Sequence, residues 1–171
     1  NKPLHASLYS NYGRSFREFD FFTRVTVQTM RYGGRVAFHS PRFDLSTDYA
    51  HLDEDVSDIA VPYSSQQDLV AFGANNSRPH GATTFNYTFN QFNRSSEPAT
   101  SDHTVNLADS EQFGSRNQYG VGASVTASHR DTGREPEDQL SAGAGLGIEH
   151  NSKLTSDYSF NFDQFDTTGL T

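Results

Sequence analysis

The chain has 171 residues, enough for one domain, yet only 33% of them are apolar, and soluble domains usually reach roughly 45–50% when glycine is counted. Its formal charge is −8 and it has no run of Lys and Arg, so no nucleic-acid partner is expected. It contains no cysteine, which excludes disulfides, thiolate metal sites and cysteine nucleophiles.

The N-terminal half alternates apolar and polar residues with period two, which predicts β-strands. Leu4, Ala6 and Leu8 indicate the first strand, and Val25 and Val27, extended by Val36 and Phe38, indicate the second. Further predicted strands follow at 43–51, 67–76 and 82–94, where Phe85, Tyr87 and Phe89 alternate with asparagine and threonine. Helical spacing fits none of these runs.

The C-terminal half alternates more clearly. One face of 118–130 carries Tyr119, Val121, Ala123, Val125 and Ala127, and the other carries Gly and Ser or Thr. The predicted strands in chain order are 3–12, 22–38, 43–51, 67–76, 82–94, 104–113, 118–130, 139–149 and 154–166. We therefore predict an all-β, antiparallel up-and-down meander of eight or nine long strands.

The connections between these strands are predicted to alternate in length. Short turns are expected near 39–42, 77–81, 114–117 and 150–153, and longer polar connections at 52–66, 95–103 and 131–138. The short turns recur about every 37 residues, which makes the hairpin the repeat of a single unit spanning 1–171. A symmetric 131–138 connection would place Val121 opposite Ile148 and Gly122 opposite Gly147.

The sequence over about residues 22–166 resembles bacterial outer-membrane β-barrels of the porin-like type. The resemblance lies in the alternation of apolar and polar residues, the long strands and the lengths of the connections. The resemblance implies a transmembrane barrel segment in the outer membrane of a Gram-negative bacterium. Such a segment forms a polar-lined pore wall for the transport of solutes, or a sheath for a threaded partner. Outer-membrane lipid, a protein inside the barrel and further barrel strands are the implied partners. The alternative is a secreted or cell-surface β-sheet module with a binding or structural role.

The lumen is expected to be lined by the polar side of the alternation. The candidate lumen-facing residues are Arg24, Thr26, Gln28, Asn86, Thr88, Gly122, Gly145, Gly147, Asp157, Asn161 and Asp163. Because the chain has no Trp, the aromatic girdles of such a barrel would have to come from Phe and Tyr. The candidates are Phe89, Phe92, Phe113, Tyr119, Phe162 and Phe165.

Other patterns favour no catalytic residue, cofactor or metal site, and no enzymatic activity is expected. The glycines of 143–147 lie in a predicted strand, not in a strand-turn-helix nucleotide site. Ser101, Asp102 and His103 are chain neighbours and cannot form a relay. The seven histidines are scattered, and the carboxylates of 53–58 and 131–138 lack calcium-loop spacing. The odd number of strands further predicts an incomplete barrel, whose wall needs more strands.

Overall fold

The structure is a computed structural model that describes residues 3–20, 23–59, 61–95, 97–133, 135–151 and 154–167, without the side chains of 17–20, 23–24, 151 and 167. These residues form nine strands. Their bounds are β1 Leu4–Asp20, β2 Thr23–His39, β3 Phe43–Ser57, β4 Tyr63–Arg78, β5 Gly81–Arg94, β6 Thr100–Phe113, β7 Tyr119–Asp131, β8 Pro136–Asn151 and β9 Leu154–Thr167.

The nine strands form one sheet in the order of the sequence, and every neighbouring pair is antiparallel. The predicted all-β antiparallel meander is therefore confirmed. Among the described residues, β1 and β9 each pair on one side only, so the sheet is open. Within the same residues there is no helix long and apolar enough to cross a membrane.

The sheet is a single layer. Within the described residues, the buried hydrophobic side chains are Val25 and Val56, which are 5% and 7% exposed. Both lie toward one end of β2 and β3, where Val27 pairs with Val56. A two-sheet sandwich would bury a continuous apolar core between its layers, and the described residues form no such core.

Because directly paired residues share a face, the registers divide the sheet into two faces. The polar face contains the row Ser46, Gly73, Asn86, Asn106, Thr126 and Ser141. The apolar face contains the row Phe38, Leu45, Ala74, Phe85, Leu107, Val125, Ala142 and Phe162. The period-two pattern of the sequence therefore becomes a separation of the two surfaces.

The strands are longer and the connections shorter than predicted. Strands run from 13 to 17 residues, and the expected long connections shrink to 58–62, 95–99 and 132–135. The hairpin ladder continues through polar residues as far as Val56 paired with Tyr63 and Asp131 paired with Pro136. Backbone pairing requires no apolar side chain, so polarity alone was a poor guide to where these strands end.

The predicted alternation of short and long connections therefore holds from 40–42 to 95–99 and fails at 114–118. Connections 40–42, 79–80 and 114–118 lie at one end of the sheet, here called the turn end, and 114–118 is as long as 58–62. In the 114–118 turn, Gly114 and Asn117 adopt positive φ angles of 96° and 53°, a conformation that Gly and Asn tolerate best. The opposite end, with 58–62, 95–99 and 132–135, is called the acidic end.

The register of β2 shows that four of its residues were wrongly predicted to share one face. Val25 and Val27 were grouped with Val36 and Phe38, but these pairs differ in parity, and the ladder runs from Thr26 to His39 without a bulge. Val36 and Phe38 therefore lie on the apolar face, whereas Val25 and Val27 lie on the polar face. A bulge at Gly33 and Gly34 would be needed to place all four on one face.

The pairing of β7 with β8 also differs from the prediction, although the faces are as expected. Val121 lies opposite Leu146 rather than Ile148, and Gly122 lies opposite Gly145 rather than Gly147. The reason is the shorter connection: the two strands pair as far as Asp131 and Pro136, which displaces the register by two residues while keeping its parity.

This register can be tested by cross-linking, because the chain has no cysteine of its own. We expect Val121→Cys combined with Leu146→Cys to form a disulfide efficiently, since directly opposed Cα atoms are about 4.5–5.5 Å apart. The control pair Val121→Cys with Ile148→Cys is diagonal, at about 7–8 Å, and should cross-link poorly. Preferential cross-linking of the control pair, measured by gel mobility after oxidation, would contradict the observed register.

Candidate functional site

Most of the predicted lumen residues share the polar face. The registers place Asn86, Thr88, Gly122, Gly145, Gly147, Asp157, Asn161 and Asp163 there. Thr26 and Gln28 are on the other face: they pair with Ser57 and Asp55, in the same parity as Val36 and Phe38. Their grouping with the lumen residues was wrong because the parity of apolar residues changes along β2. The side chain of Arg24 lies outside the described part of the structure.

Hydrogen bonds between strands cover the polar face. Asn106 Nδ2 donates to Thr126 Oγ1 over 2.8 Å, and Ser141 Oγ donates to Asp163 Oδ1 over 2.6 Å. Nearer the acidic end, Arg130 Nε donates to Asp102 Oδ1 over 2.6 Å. Amide, hydroxyl and charged groups at this spacing form a wettable surface that an apolar core would not accommodate.

Five glycines on β7 and β8 interrupt this surface. Gly120 lies opposite Gly147, Gly122 opposite Gly145, and Gly143 opposite Ser124. A Cβ atom built on Gly120 would have no neighbour within 4 Å, so close backbone approach does not require glycine at this position. Gly120, Gly122, Gly145 and Gly147 form the floor of a depression of about 620 Å³, with His80 and Asp157 among its walls.

The apolar face is covered by exposed hydrophobic side chains. Phe160 is 67% exposed and Phe162 43%, and on the adjacent strands Leu146 is 37% and Val125 42% exposed. The central strip, here called the apolar belt, contains Leu4, Leu8, Tyr32, Val36, Phe38, Leu45, Phe72, Ala74, Phe85, Tyr87, Phe89, Val105, Leu107, Val121, Val125, Leu140, Ala144, Leu146, Ile148, Tyr158, Phe160 and Phe162. Soluble monomers rarely expose so large a contiguous apolar patch.

The apolar belt crosses the strands obliquely. Its centre on β5 is Tyr87, whose register row reaches Gln164 on β9. On β9 the belt is centred on Phe160, four residues closer to the turn end. A drift of about one residue per strand corresponds to strands inclined by about 35°, given a rise of about 3.3 Å per residue and a strand spacing of about 4.8 Å. The drift is smaller between β1 and β5.

The acidic-end border of the belt carries a cluster around His51. Its ring stacks on Tyr32 with centroids 4.7 Å apart. His51 Nδ1 lies 2.7 Å from Asp68 Oδ1, and His51 Nε2 lies 3.0 Å from Asp53 Oδ1. The Tyr49 hydroxyl also donates to Asp68 Oδ1, over 2.7 Å. Carboxylates thus lie within hydrogen-bonding distance of both ring nitrogens of His51.

A second cluster continues along the same border. The Tyr87 hydroxyl lies 3.0 Å from His103 Nδ1, and the Phe89 and His103 rings are 4.7 Å apart. On the next two strands, His129 Nδ1 lies 2.7 Å from Asp138 Oδ1. Aromatic rings thus meet polar groups along this edge, in the arrangement that suits side chains between an apolar layer and water.

The turn-end border is charged as well. Arg78 Nη2 lies 2.7 Å from Asp109 Oδ1 and 3.2 Å from Glu111 Oε2, and the Thr83 hydroxyl donates to Asp109 over 2.5 Å. These groups narrow the apolar belt on β6 to Val105 and Leu107. Each carboxylate there has a cationic partner, which reduces the cost of placing it next to an apolar surface.

The predicted aromatic girdle is only partly on the apolar face. Phe89, Phe113, Tyr119 and Phe162 lie there, and the Phe113 and Tyr119 rings stack with centroids 5.3 Å apart. Phe92 and Phe165 lie on the polar face, opposite Thr100 and Gln139. For these two residues the girdle assignment was wrong, because each has the parity of its polar neighbours.

The sequence did not reveal the histidine clusters, since their partners lie on neighbouring strands. His51 and Asp68 are 17 residues apart and meet through the β3–β4 register. Within the described residues, no group of three or more His, Asp or Glu side chains is arranged so that it could hold a metal ion. Comparison with protein-family models, with curated proteins and with solved structures finds no match to this chain.

Proposed function

We propose that this chain is a wall segment of a bacterial outer-membrane β-barrel, whose apolar face contacts lipid and whose polar face lines an aqueous lumen. The observation that carries the proposal is the combination of one sheet layer with a continuous, exposed apolar belt. An exposed belt of this size needs an apolar covering, and lipid covers it without a second protein layer.

The dimensions of the belt support a lipid covering. On β8 it extends from Leu140 to Ile148, roughly 26 Å along the strand at about 3.3 Å per residue, which is about 19–22 Å of height at a tilt of about 35–45°. The outward band of such barrels is about 25 Å tall, and their strands tilt by roughly 35–45°. The oblique course of the belt between β5 and β9 agrees with that tilt. The polar and aromatic groups at both borders match positions at the level of lipid headgroups.

The antiparallel ladder is also suited to lipid. Backbone N–H and C=O groups cannot find water in the hydrocarbon layer, so each must be paired within the sheet. Strands β2 to β8 are paired on both sides. In this proposal the outer edges of β1 and β9 meet further strands, because an unpaired edge in lipid is costly and invites association.

Strand direction limits how the wall can be completed. β1 and β9 both run from the turn end to the acidic end, since Leu4 pairs with Phe38 and Thr167 pairs with Glu137. Joining these two edges directly would give a parallel seam. A wall with only antiparallel pairs needs an added strand that runs from the acidic end to the turn end.

The polar face supplies the proposed activity, which is the passage of small polar solutes or the enclosure of a threaded partner. Hydroxyl, amide and charged side chains line it, and the glycine floor on β7 and β8 widens the space beside it. The width of a lumen and the charges on its wall determine which solutes pass.

An arginine substitution tests which face meets lipid. Ala144 is exposed in the middle of the belt on β8, and Ala144→Arg should destabilise the protein in lipid vesicles by about 2–4 kcal/mol. Ser141→Arg, on the polar face of the same strand and opposite Asp163, should cost less than about 1 kcal/mol. The measurement is the free energy of unfolding by urea in vesicles. Equal costs for both variants, or a larger cost for Ser141→Arg, would overturn the proposal.

A further inference from the structure

We infer that the polar face selects for cations over anions, an inference that rests on the proposed lumen and specifies what passes through it. The described side chains on that face include eight carboxylates and four arginines. The carboxylates are spread over β3, β6, β8 and β9 and do not form one cluster. The inference therefore concerns the charge of the wall as a whole.

The four arginines are already engaged by neighbouring groups. Arg35 Nε lies 3.7 Å from Asp48 Oδ1, and Arg130 Nε lies 2.6 Å from Asp102 Oδ1. Arg94 pairs with Glu97 at 3.1 Å. Arg31 lies over the Tyr9 ring, 5.6 Å from its centroid. Three of the four cations are thus neutralised locally, so they contribute little positive potential to an adjacent aqueous space.

The carboxylates of β8 and β9 are arranged differently. Glu149, Asp157 and Asp163 make no ion pair within the described residues. Asp157 stands beside the glycine floor opposite Gly147, and Asp163 accepts a hydrogen bond from the Ser141 hydroxyl. A hydroxyl donor leaves the negative charge of Asp163 in place, so this part of the wall carries a net negative potential.

The charges at the acidic end also favour cations over anions. The described side chains of 53–58, 94–102 and 130–138 include ten carboxylates and two arginines. If the polar face lines a lumen, these groups surround one mouth of it. Negative charge at a mouth concentrates cations and depletes anions, and the effect weakens as salt shortens the Debye length from about 10 Å at 0.1 M to about 3 Å at 1 M.

The test is the reversal potential of the full chain in planar bilayers under a KCl gradient. We expect K⁺ to permeate at least about threefold more readily than Cl⁻ at low salt. Asp157→Asn combined with Asp163→Asn should lower this ratio at least about twofold. Asp166→Asn is the control, because it removes a carboxylate from the same strand but on the apolar face. Since Asp166 lies at the acidic end, this variant should lower the ratio much less than the double variant does. Raising the salt should lower the ratio of the unmodified protein.

Three results would overturn the inference in distinguishable ways. A conducting protein with a ratio of one or less contradicts the cation preference while leaving the lumen intact. An equal effect of Asp166→Asn and of the double variant contradicts the assignment of the preference to the polar face. A protein that inserts into the bilayer but never conducts contradicts the assembly of this wall into an open lumen and, with it, this inference.

Discussion

A single-layer sheet is held together by its hydrogen-bonded ladders, and everything else in this molecule follows from their register. The ladders join nine strands without crossovers, and each pairing decides which side chains share a face. Buried apolar contacts contribute little, since Val25 and Val56 are the hydrophobic residues buried within the described part of the chain. The hydrophobic effect must therefore act between the apolar face and its surroundings rather than within a core.

That constraint explains the different chemistry of the two faces. On the apolar face, side chains such as Phe160 and Val125 gain stability only when something apolar covers them. On the polar face, Asn106, Thr126 and Asp163 bond across strands and keep their remaining hydrogen-bonding capacity for water. Charges next to the belt occur mostly in pairs, as with Arg78 and Asp109. Asp157, which makes no ion pair within the described residues, stands on the polar face.

The sequence predicted the face of each residue correctly on strands where apolar and polar residues alternate without interruption. On β7 to β9 the alternation is regular, so the faces of Val125, Ala144 and Phe160 were assigned correctly without knowledge of the register. On β2 the parity changes between Val27 and Val36, and the faces of Thr26 and Gln28 were misassigned. Strand ends were placed too early because polar residues continue the ladder as well as apolar ones do.

The alternation of apolar and polar residues could not predict which residues contact each other across neighbouring strands. A displacement of two residues leaves every face unchanged but moves Gly122 from Gly147 to Gly145. The pairing of His51 with Asp68 likewise depends on the register, which the length of the 58–62 connection determines. Whether the sheet closes, and with which strands, depends on the edges of β1 and β9, whose pairing no local pattern encodes.

The central claim, that the apolar face meets lipid, is tested most directly by fluorescence quenching in brominated phospholipid, because the chain has no tryptophan of its own. Val125→Trp places the fluorophore on the apolar belt, and Ser124→Trp places it one residue away on the polar face. Our account predicts strong quenching at position 125 and weak quenching at position 124. Equal quenching at both positions, or stronger quenching at 124, would contradict it.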